Sequence, residues 1–166
     1  MVLLPKLLIF CGIPGTGKST VAKFVAAKLE GTVHIQTDAV RSMISQPTFT
    51  NQESEMVYAA CITIAGEALQ HGYNAILDGT FLREEYREDA LRALQGAYDS
   101  YLVVYVHCDV RTAYARNASR KASVPQGRFN QMLPRLQEPV RAMKIDSGNT
   151  PAELAAEAIL AQISGG

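Results

Sequence analysis

The sequence predicts an α/β domain with a mostly parallel five-stranded sheet and helices on both faces. Three observations lead there. Short apolar or β-branched runs alternate with helix-period segments along the chain, which is the pattern of strand–helix–strand units. The first such run passes through a glycine-rich turn directly into a helix. The polar residues Lys18, Asp38, Asp78 and Asp109 all follow strand-like runs. They are therefore expected to converge at the carboxyl ends of the strands, where open α/β sheets bind ligands.

Taken in order, Leu7–Cys11 is a short apolar run, as expected for a buried parallel strand. Ser19–Leu29 follows as an amphipathic helix, with Val21, Val25 and Leu29 four residues apart. Thr32–Gln36 is the second strand and runs into Thr37-Asp38. Ala39–Ser45 gives one or two helical turns, and Pro47 ends them. Thr50-Asn51-Gln52-Glu53 is a capping box opening a long helix to about His71. Met56, Ala60, Ile64 and Ala68 are expected to face the sheet, and Gly72 stops the helix. Ala75–Leu77 is the third strand, leading into Asp78-Gly79-Thr80. A charged helix spans Glu84–Gln95.

Tyr101–Val106 is the clearest strand by β-propensity. A helix from Val110 follows, with Asp109 as its cap. Lys121–Gly127 reads as a mobile loop, and Phe129 to about Arg135 as a helix limited by Pro134 and Pro139. Met143–Asp146 is the fifth strand. Thr150-Pro151-Ala152-Glu153 reads as a second capping box with proline at the first helical position, opening the last helix. Neither a repeat nor a linker interrupts the pattern, so residues 1–166 are expected to form one domain.

Bulk properties narrow the function. Sixteen basic and sixteen acidic side chains cancel, so no global field favours nucleic acid or an anionic membrane. The start Met1–Lys6 lacks the features of a signal peptide, and no apolar run reaches membrane-spanning length. A cytoplasmic protein without membrane association is expected. Cys11, Cys61 and Cys108 are far apart and form no C-x-x-C pair, which argues against a zinc site or disulfide framework. The histidines have no partners at metal-ligand spacing and read as structural.

The chemistry begins at Gly12-Ile13-Pro14-Gly15-Thr16-Gly17-Lys18-Ser19, which fits G-x-x-x-x-G-K-[ST] at every fixed position. Glycines let backbone N–H groups turn inward around a polyphosphate, and the helix N-terminus adds partial positive charge. Gly12, Pro14, Gly15, Thr16, Gly17, Lys18, Ser19 and Thr20 are the expected nucleotide-binding set. Lys18 is expected to reach the β- and γ-phosphates, and the Ser19 hydroxyl to ligate Mg²⁺. ATP and Mg²⁺ are the expected cofactors.

Chain order and size resemble those of small ATP-dependent P-loop kinases. Asp38, about twenty residues past the loop, with Arg41 one helical turn on, resembles the kinase domain of polynucleotide 5′-hydroxyl kinases. The same D-x-x-R feature recurs in adenylylsulfate kinases and zeta-toxin-like kinases. Arg116-Asn117-Ala118-Ser119-Arg120, followed by Val124-Pro125, resembles the short arginine-bearing lid of the polynucleotide kinase group. The resemblance spans Leu7 to about Arg141. It implies a kinase that phosphorylates a hydroxyl, with a polynucleotide 5′ end first among acceptors and a small molecule (nucleotide, sugar or antibiotic) as the alternative. A nucleotide-binding switch or ATPase without an acceptor is the competing class.

On this reading Asp38 orients the attacking hydroxyl and accepts its proton, unless it only caps a helix. Arg41, by resemblance, binds the acceptor phosphate or the Asp38 carboxylate. Arg120 is the chosen transition-state contact, with Arg128 in reserve, and Arg116 is placed on the adenine or phosphate side. Asp78 stands where a Walker-B acid would, to bind Mg²⁺ through water or to hold an acceptor. Thr80, Arg83 and Arg87 lie beside it as further pocket residues. The resemblance also puts Pro151 on one face of the adenine ring and Arg116 on the other.

Overall fold

The computed structural model describes residues 5–165. The sequence start, Met1–Leu4, therefore lies outside the described residues. The elements run β1 (Lys6–Cys11), α1 (Lys18–Lys28), β2 (Thr32–Gln36), α2 (Thr37–Arg41), α3 (Asn51–Gln70) and β3 (Asn74–Asp78). The chain continues through α4 (Glu84–Ala93), β4 (Ser100–His107), α5 (Val110–Ala118), α6 (Gln126–Met132), a 3-10 turn (Leu133–Arg135), β5 (Met143–Asp146) and α7 (Ala152–Ser164).

All five strands pair in parallel, in the order β2-β3-β1-β4-β5. The central β1 pairs Leu8 with Ile76 of β3 and with Leu102 of β4. From β1 the chain crosses outward to β2, returns to β3, and then moves to the other side of β1. The connections thus diverge on either side of β1, and its carboxyl end is the crevice that such a reversal leaves open.

Alternation along β1 distributes the core. Leu7, Ile9 and Cys11 face α3 and α4 through Val57, Cys61, Ala65 and Ala90. Leu8 and Phe10 face α1 and α7 through Val21, Val25, Ala156 and Ile159. A third cluster, Ile13, Leu82, Ala113 and Phe129, lies where the turn after β1 meets α5 and α6. It packs the Gln126–Arg135 segment against the functional edge of the sheet.

Several sequence expectations change. The α3 stripe on the sheet is Val57, Cys61, Ala65, Ala68 and Leu69, while Met56 and Ile64 are exposed. Both stripes repeat at about four residues, and the small side chains of Cys61 and Ala65 permit the closer approach. The Thr150 capping box does not form: α7 starts at Ala152, Pro151 occupies the cap position, and no side chain caps it. The Thr50 box forms in part, because Thr50 accepts from the Glu53 N–H but Glu53 turns elsewhere. Asp38 lies in the first turn of α2 and caps nothing. Asp109 does cap α5, accepting from the N–H groups of Arg111 and Thr112. The loop expected over Lys121–Gly127 is shorter, since α6 begins at Gln126 and Val124 is tied to the Asn117 side chain through both its N–H and its C=O.

Candidate functional site

The Gly12–Gly17 turn closes over the end of β1. Its shape depends on glycine at two close approaches. Gly12 has φ +141°, and a Cβ there would lie 2.3 Å from the Val106 carbonyl oxygen. Gly15 has φ +84°, and its Cβ would lie 2.0 Å from the Ala113 carbonyl oxygen. Both conformations disfavour any side chain, and both contacts exclude one. The Gly12 N–H donates to Thr80 O at 3.0 Å, tying the turn to the end of β3. Ser147 Oγ donates to Thr16 O at 2.6 Å, tying it to the segment after β5.

Lys18 opens α1 and is buried, with Nζ donating to Ile13 O at 3.2 Å across the turn. Burial pulls its pKa down, with Asp78 and Asp38 opposing. An ammonium folded into its own loop, next to two carboxylates, is placed to exchange a carbonyl for phosphate oxygens.

Asp78 ends β3, and its side chain is 2% exposed. His34 Nε2 lies 2.9 Å from Asp78 Oδ2, and Gln36 Nε2 donates to the same oxygen at 3.3 Å. Residues 34 and 36 of β2 share one face of the strand, and Gln36 is paired with Asp78 in register. Burial pushes the Asp78 carboxyl up. The His34 hydrogen bond, the Lys18 charge and the Ser19 hydroxyl outweigh it and hold the carboxyl below its usual range. His34 and Gln36 both reach Oδ2, and the Ser19 hydroxyl acts on the same carboxylate. The Ser19 hydroxyl and the Asp78 carboxylate are hard oxygen donors, as Mg²⁺ requires when phosphates and water complete its shell. No cluster of three or more His, Cys, Asp or Glu ligands exists among the described residues, so nothing here resembles an all-protein metal cage.

Asp38 projects from α2 with its side chain 80% exposed, and Arg120 Nη2 lies 3.7 Å from Oδ2. The expected proton acceptor and the expected transition-state arginine are therefore partners in this state. Arg41 does not meet Asp38. It is ion-paired with Glu53 of α3, both side chains largely buried, and Nη2 donates to Ser54 Oγ at 3.2 Å. Gly79 fixes the relation of β3 to α2, since a Cβ there would meet Thr37 Cγ2 at 2.7 Å.

Arg116 donates from Nη1 and Nη2 to Ser147 Oγ and O at 3.3 and 3.5 Å, beside the phosphate loop. Pro151 lies outside the cavity lining. Arg87 is a correction: it is 1% exposed and donates to the carbonyls of Phe81 and Gln137, with Glu84 as its ion partner. It holds α4 to the turn after β3 and faces no acceptor. Thr80 and Arg83 do line the cavity.

The whole arrangement surrounds a cavity of about 940 Å³. Its floor is the phosphate loop, with Lys18, Ser19, Asp38 and Asp78. Its far wall carries Arg41, Phe49, Tyr58, Tyr86 and Arg128. Arg128 Nη1 donates to Phe49 O at 3.1 Å, so α6 reaches across to the segment before α3. Tyr58 OH sits 3.2 Å from Thr80 Oγ1 and accepts from the Phe81 N–H at 3.2 Å, steadying a turn in which Phe81 takes φ +39°.

Sequence reasoning did not single out His34, Phe49 or Tyr58. Alternation on β2 was an available signal for His34, since it puts His34 and Gln36 on one face. Phe49 and Tyr58 carried no signal, because only the fold brings their segments to the cavity.

Fold and phosphate loop together are those of the small P-loop kinase family. The chain belongs to the AAA domain family, which it matches over residues 7–139. It is 23% identical over 137 residues to an L-seryl-tRNA(Sec) kinase of Methanococcus maripaludis, covering 80% of this chain and 53% of that protein. It is 31% identical over 118 residues to a gluconokinase of Gluconobacter oxydans, covering 68% of this chain and 62% of that one. The chain thus spans between about half and three-fifths of the length of these curated relatives. Among solved structures, the Mycobacterium tuberculosis APS kinase CysC, in complex with AMPPNP and APS, matches with a TM-score of 0.78. That match covers 98% of this chain and 99% of the other at 15% identity, a likeness of fold. No described helix is long and apolar enough to cross a membrane.

Proposed function

We propose that this chain is an ATP- and Mg²⁺-dependent kinase that transfers the γ-phosphoryl group to a hydroxyl of a small-molecule acceptor. The observation that carries the choice of acceptor is the Arg128–Phe49 bridge. It spans the wall opposite the phosphate loop and makes a bounded cavity where an open groove would suit a polynucleotide 5′ end. A volume of about 940 Å³ lies within the range of ligand cavities and leaves room for a nucleotide and a compact partner. Of the two curated relatives, the gluconokinase supports the small-molecule reading by name, whereas the seryl-tRNA kinase is named for an acceptor carried on an RNA.

In phosphoryl transfer, catalysis is positioning plus electrostatic stabilisation. The loop N–H groups and Lys18 hold the β- and γ-phosphates. Mg²⁺, held through Ser19 and the carboxylate of Asp78, would neutralise charge developing on the phosphate oxygens. Arg120 swings from Asp38 to the transferring group, which frees the Asp38 carboxylate to accept the proton of the attacking hydroxyl. Arg116, anchored at Ser147, borders the nucleotide.

The test offers labelled ATP with Mg²⁺ to a panel of polyols, sugars and nucleosides, and in parallel to a 5′-hydroxyl oligonucleotide. Label on a small molecule, lost in Asp38→Ala with ATP affinity kept, is the expected result. Label on the oligonucleotide would restore the polynucleotide reading. Free phosphate alone, unchanged in Asp38→Ala, would favour a switch or ATPase.

A further inference from the structure

The acceptor wall holds more positive charge than the transfer reaction uses. Arg41, Arg83, Arg116, Arg120, Arg128 and Arg135 all line the cavity. Three are paired with carboxylates: Arg41 with Glu53, Arg83 with Glu85 at 3.5 Å, and Arg120 with Asp38 at 3.7 Å. Arg116 is occupied at Ser147 on the nucleotide side. Arg128 and Arg135 have no carboxylate within 4.0 Å among the described residues.

Arg128 is also held in place. Its guanidinium carbon lies 4.3 Å from the centroid of the Phe49 ring, and that of Arg41 lies 5.0 Å from the same ring. Nη1 is used on Phe49 O, and Nε is buried with no hydrogen-bond partner. A cation partly withdrawn from water, with a donor unmet and no counter-ion, is a costly arrangement. Burial lowers the Arg128 pKa most, the Arg41 charge lowers it next, Glu53 opposes, and Arg135 adds a smaller push downward. Both arginines rise from a fixed base, since Phe129, Met132 and Leu133 pack against Ile13 and Leu82. An anion between them would relieve the repulsion, and a guanidinium fork matches the oxygens of a carboxylate or phosphate.

We propose that the acceptor carries an anionic group, a carboxylate or a phosphate monoester, away from the hydroxyl that is phosphorylated, and that Arg128 and Arg135 receive it. This rests on the kinase reading above. The anion docks on α6 and the 3-10 turn, and the hydroxyl end of the molecule then points toward Asp38. Such an acceptor also supplies the counter-charge that the Phe49 wall lacks.

Calorimetric titration tests this on the full chain. Mg²⁺ and AMP-PNP are added first, to fill the phosphate loop. Inorganic phosphate and D-gluconate are then titrated separately at constant ionic strength, with neutral D-glucitol as control. The expected result is saturable binding of at least one anion, with glucitol not binding. Arg128→Gln and the surface variant Arg135→Gln should each weaken that binding by about tenfold or more, as loss of a charge-assisted pair does. Phosphate alone would assign a phosphate monoester, and gluconate alone a carboxylate. Equal binding of glucitol, no saturable anion binding, or anion binding that survives both substitutions would overturn the proposal. Failure of Mg²⁺·AMP-PNP to bind at the first step would strike the kinase reading, and the proposal with it.

Discussion

The phosphate loop and the segment from Thr37 to Phe49 line the same cavity and are held in opposite ways. Around the phosphate loop the determinants are backbone: glycines that admit no Cβ, the Gly12 N–H bonded to Thr80, and a carbonyl bonded to Ser147. Across the cavity they are side chains, in the pairs Arg41–Glu53, Arg120–Asp38 and Arg128–Phe49. On the function proposed above, the first wall receives polyphosphate, which is the same in every ATP-using enzyme of this kind, and a backbone geometry can be preset for it. The second wall would match one acceptor, and paired charges can be exchanged without rebuilding the fold. Nucleotide binding should therefore be sensitive to shape, and acceptor use to charge.

The largest expected effect is on the nucleotide side. Lys18→Ala should lower single-turnover γ-phosphoryl transfer by about a thousandfold or more, as removal of a preorganised charge from a phosphoryl-transfer site does. Its melting temperature should change little or rise, because a buried cation is removed. Normal transfer in this variant would show that the loop lysine does not act on the γ-phosphoryl group.

Asp38→Asn comes next. It should cost at least about a hundredfold in kcat, the usual scale for a positioned general base. ATP affinity and thermal stability should stay near those of the parent, since the Asp38 side chain is 80% exposed and its bond to Arg120 is long. Steady-state kinetics in ATP at saturating acceptor would show a change in kcat with KM for ATP preserved. A raised KM for ATP would mean that the acceptor wall is not independent of the nucleotide wall.

His34 sits between the two, because it orients the Asp78 carboxylate from β2. His34→Ala should weaken Mg²⁺ activation by about tenfold to a hundredfold, as removal of partners behind a metal-binding carboxylate does. Titration of Mg²⁺ at fixed ATP reads this directly, and His34→Gln should recover part of it by restoring a donor. Unchanged Mg²⁺ dependence in both would remove Asp78 from the metal site.

Glu53 joins stability to the acceptor wall. Burial opposes its ionisation, yet the Thr48 N–H and hydroxyl, Arg41 and the Phe49 N–H bring its pKa down to about 2, from 4.5. A depressed carboxyl stabilises the fold at pH above its unfolded value and loses that contribution as pH falls through the folded one. The Glu53 share is thus complete above about pH 5 and fades between there and pH 2. Glu53→Gln should melt lower at neutral pH, leaving Arg41 without a counter-charge, and should flatten the acid limb. A parallel acid limb in the two proteins would show that the pair contributes nothing to stability.

How much of this was legible in the sequence follows the same division. The phosphate loop is local: glycine spacing, Lys18 and Ser19 fall within eight residues, so pattern and geometry are one statement. The parallel sheet was legible because each strand is a short apolar run. The acceptor wall depends on contacts that span the chain: His34 with Asp78 across 44 positions, Arg128 with Phe49 across 79. No spacing rule encodes those pairs. Arg87 shows the converse error. An arginine near a strand end suggests a pocket, yet three acceptors within reach drew it into the interior. For α3, periodicity fixed the step of the stripe but not its phase, and the phase was decided by which small side chains the sheet accepts.

The smallest expected effect probes whether the acceptor wall draws its order from α3. Thr50 Oγ1 accepts from the Glu53 N–H at 3.2 Å and makes no contact with the cavity. Thr50→Ala should destabilise the protein by about 1 kcal/mol, the usual loss for a side-chain cap. A small fall in melting temperature follows. The cap also sets the first turn of α3, from which Glu53 reaches back to Thr48, Phe49 and Arg41. Phe49 takes φ +57°, a conformation that a bulky residue keeps only when its surroundings hold it. If that hold comes from Glu53 alone, Thr50→Ala lowers stability and leaves KM for the acceptor unchanged. If it needs the helix start as well, KM for the acceptor rises while KM for ATP does not, and the acceptor wall owes part of its shape to backbone after all.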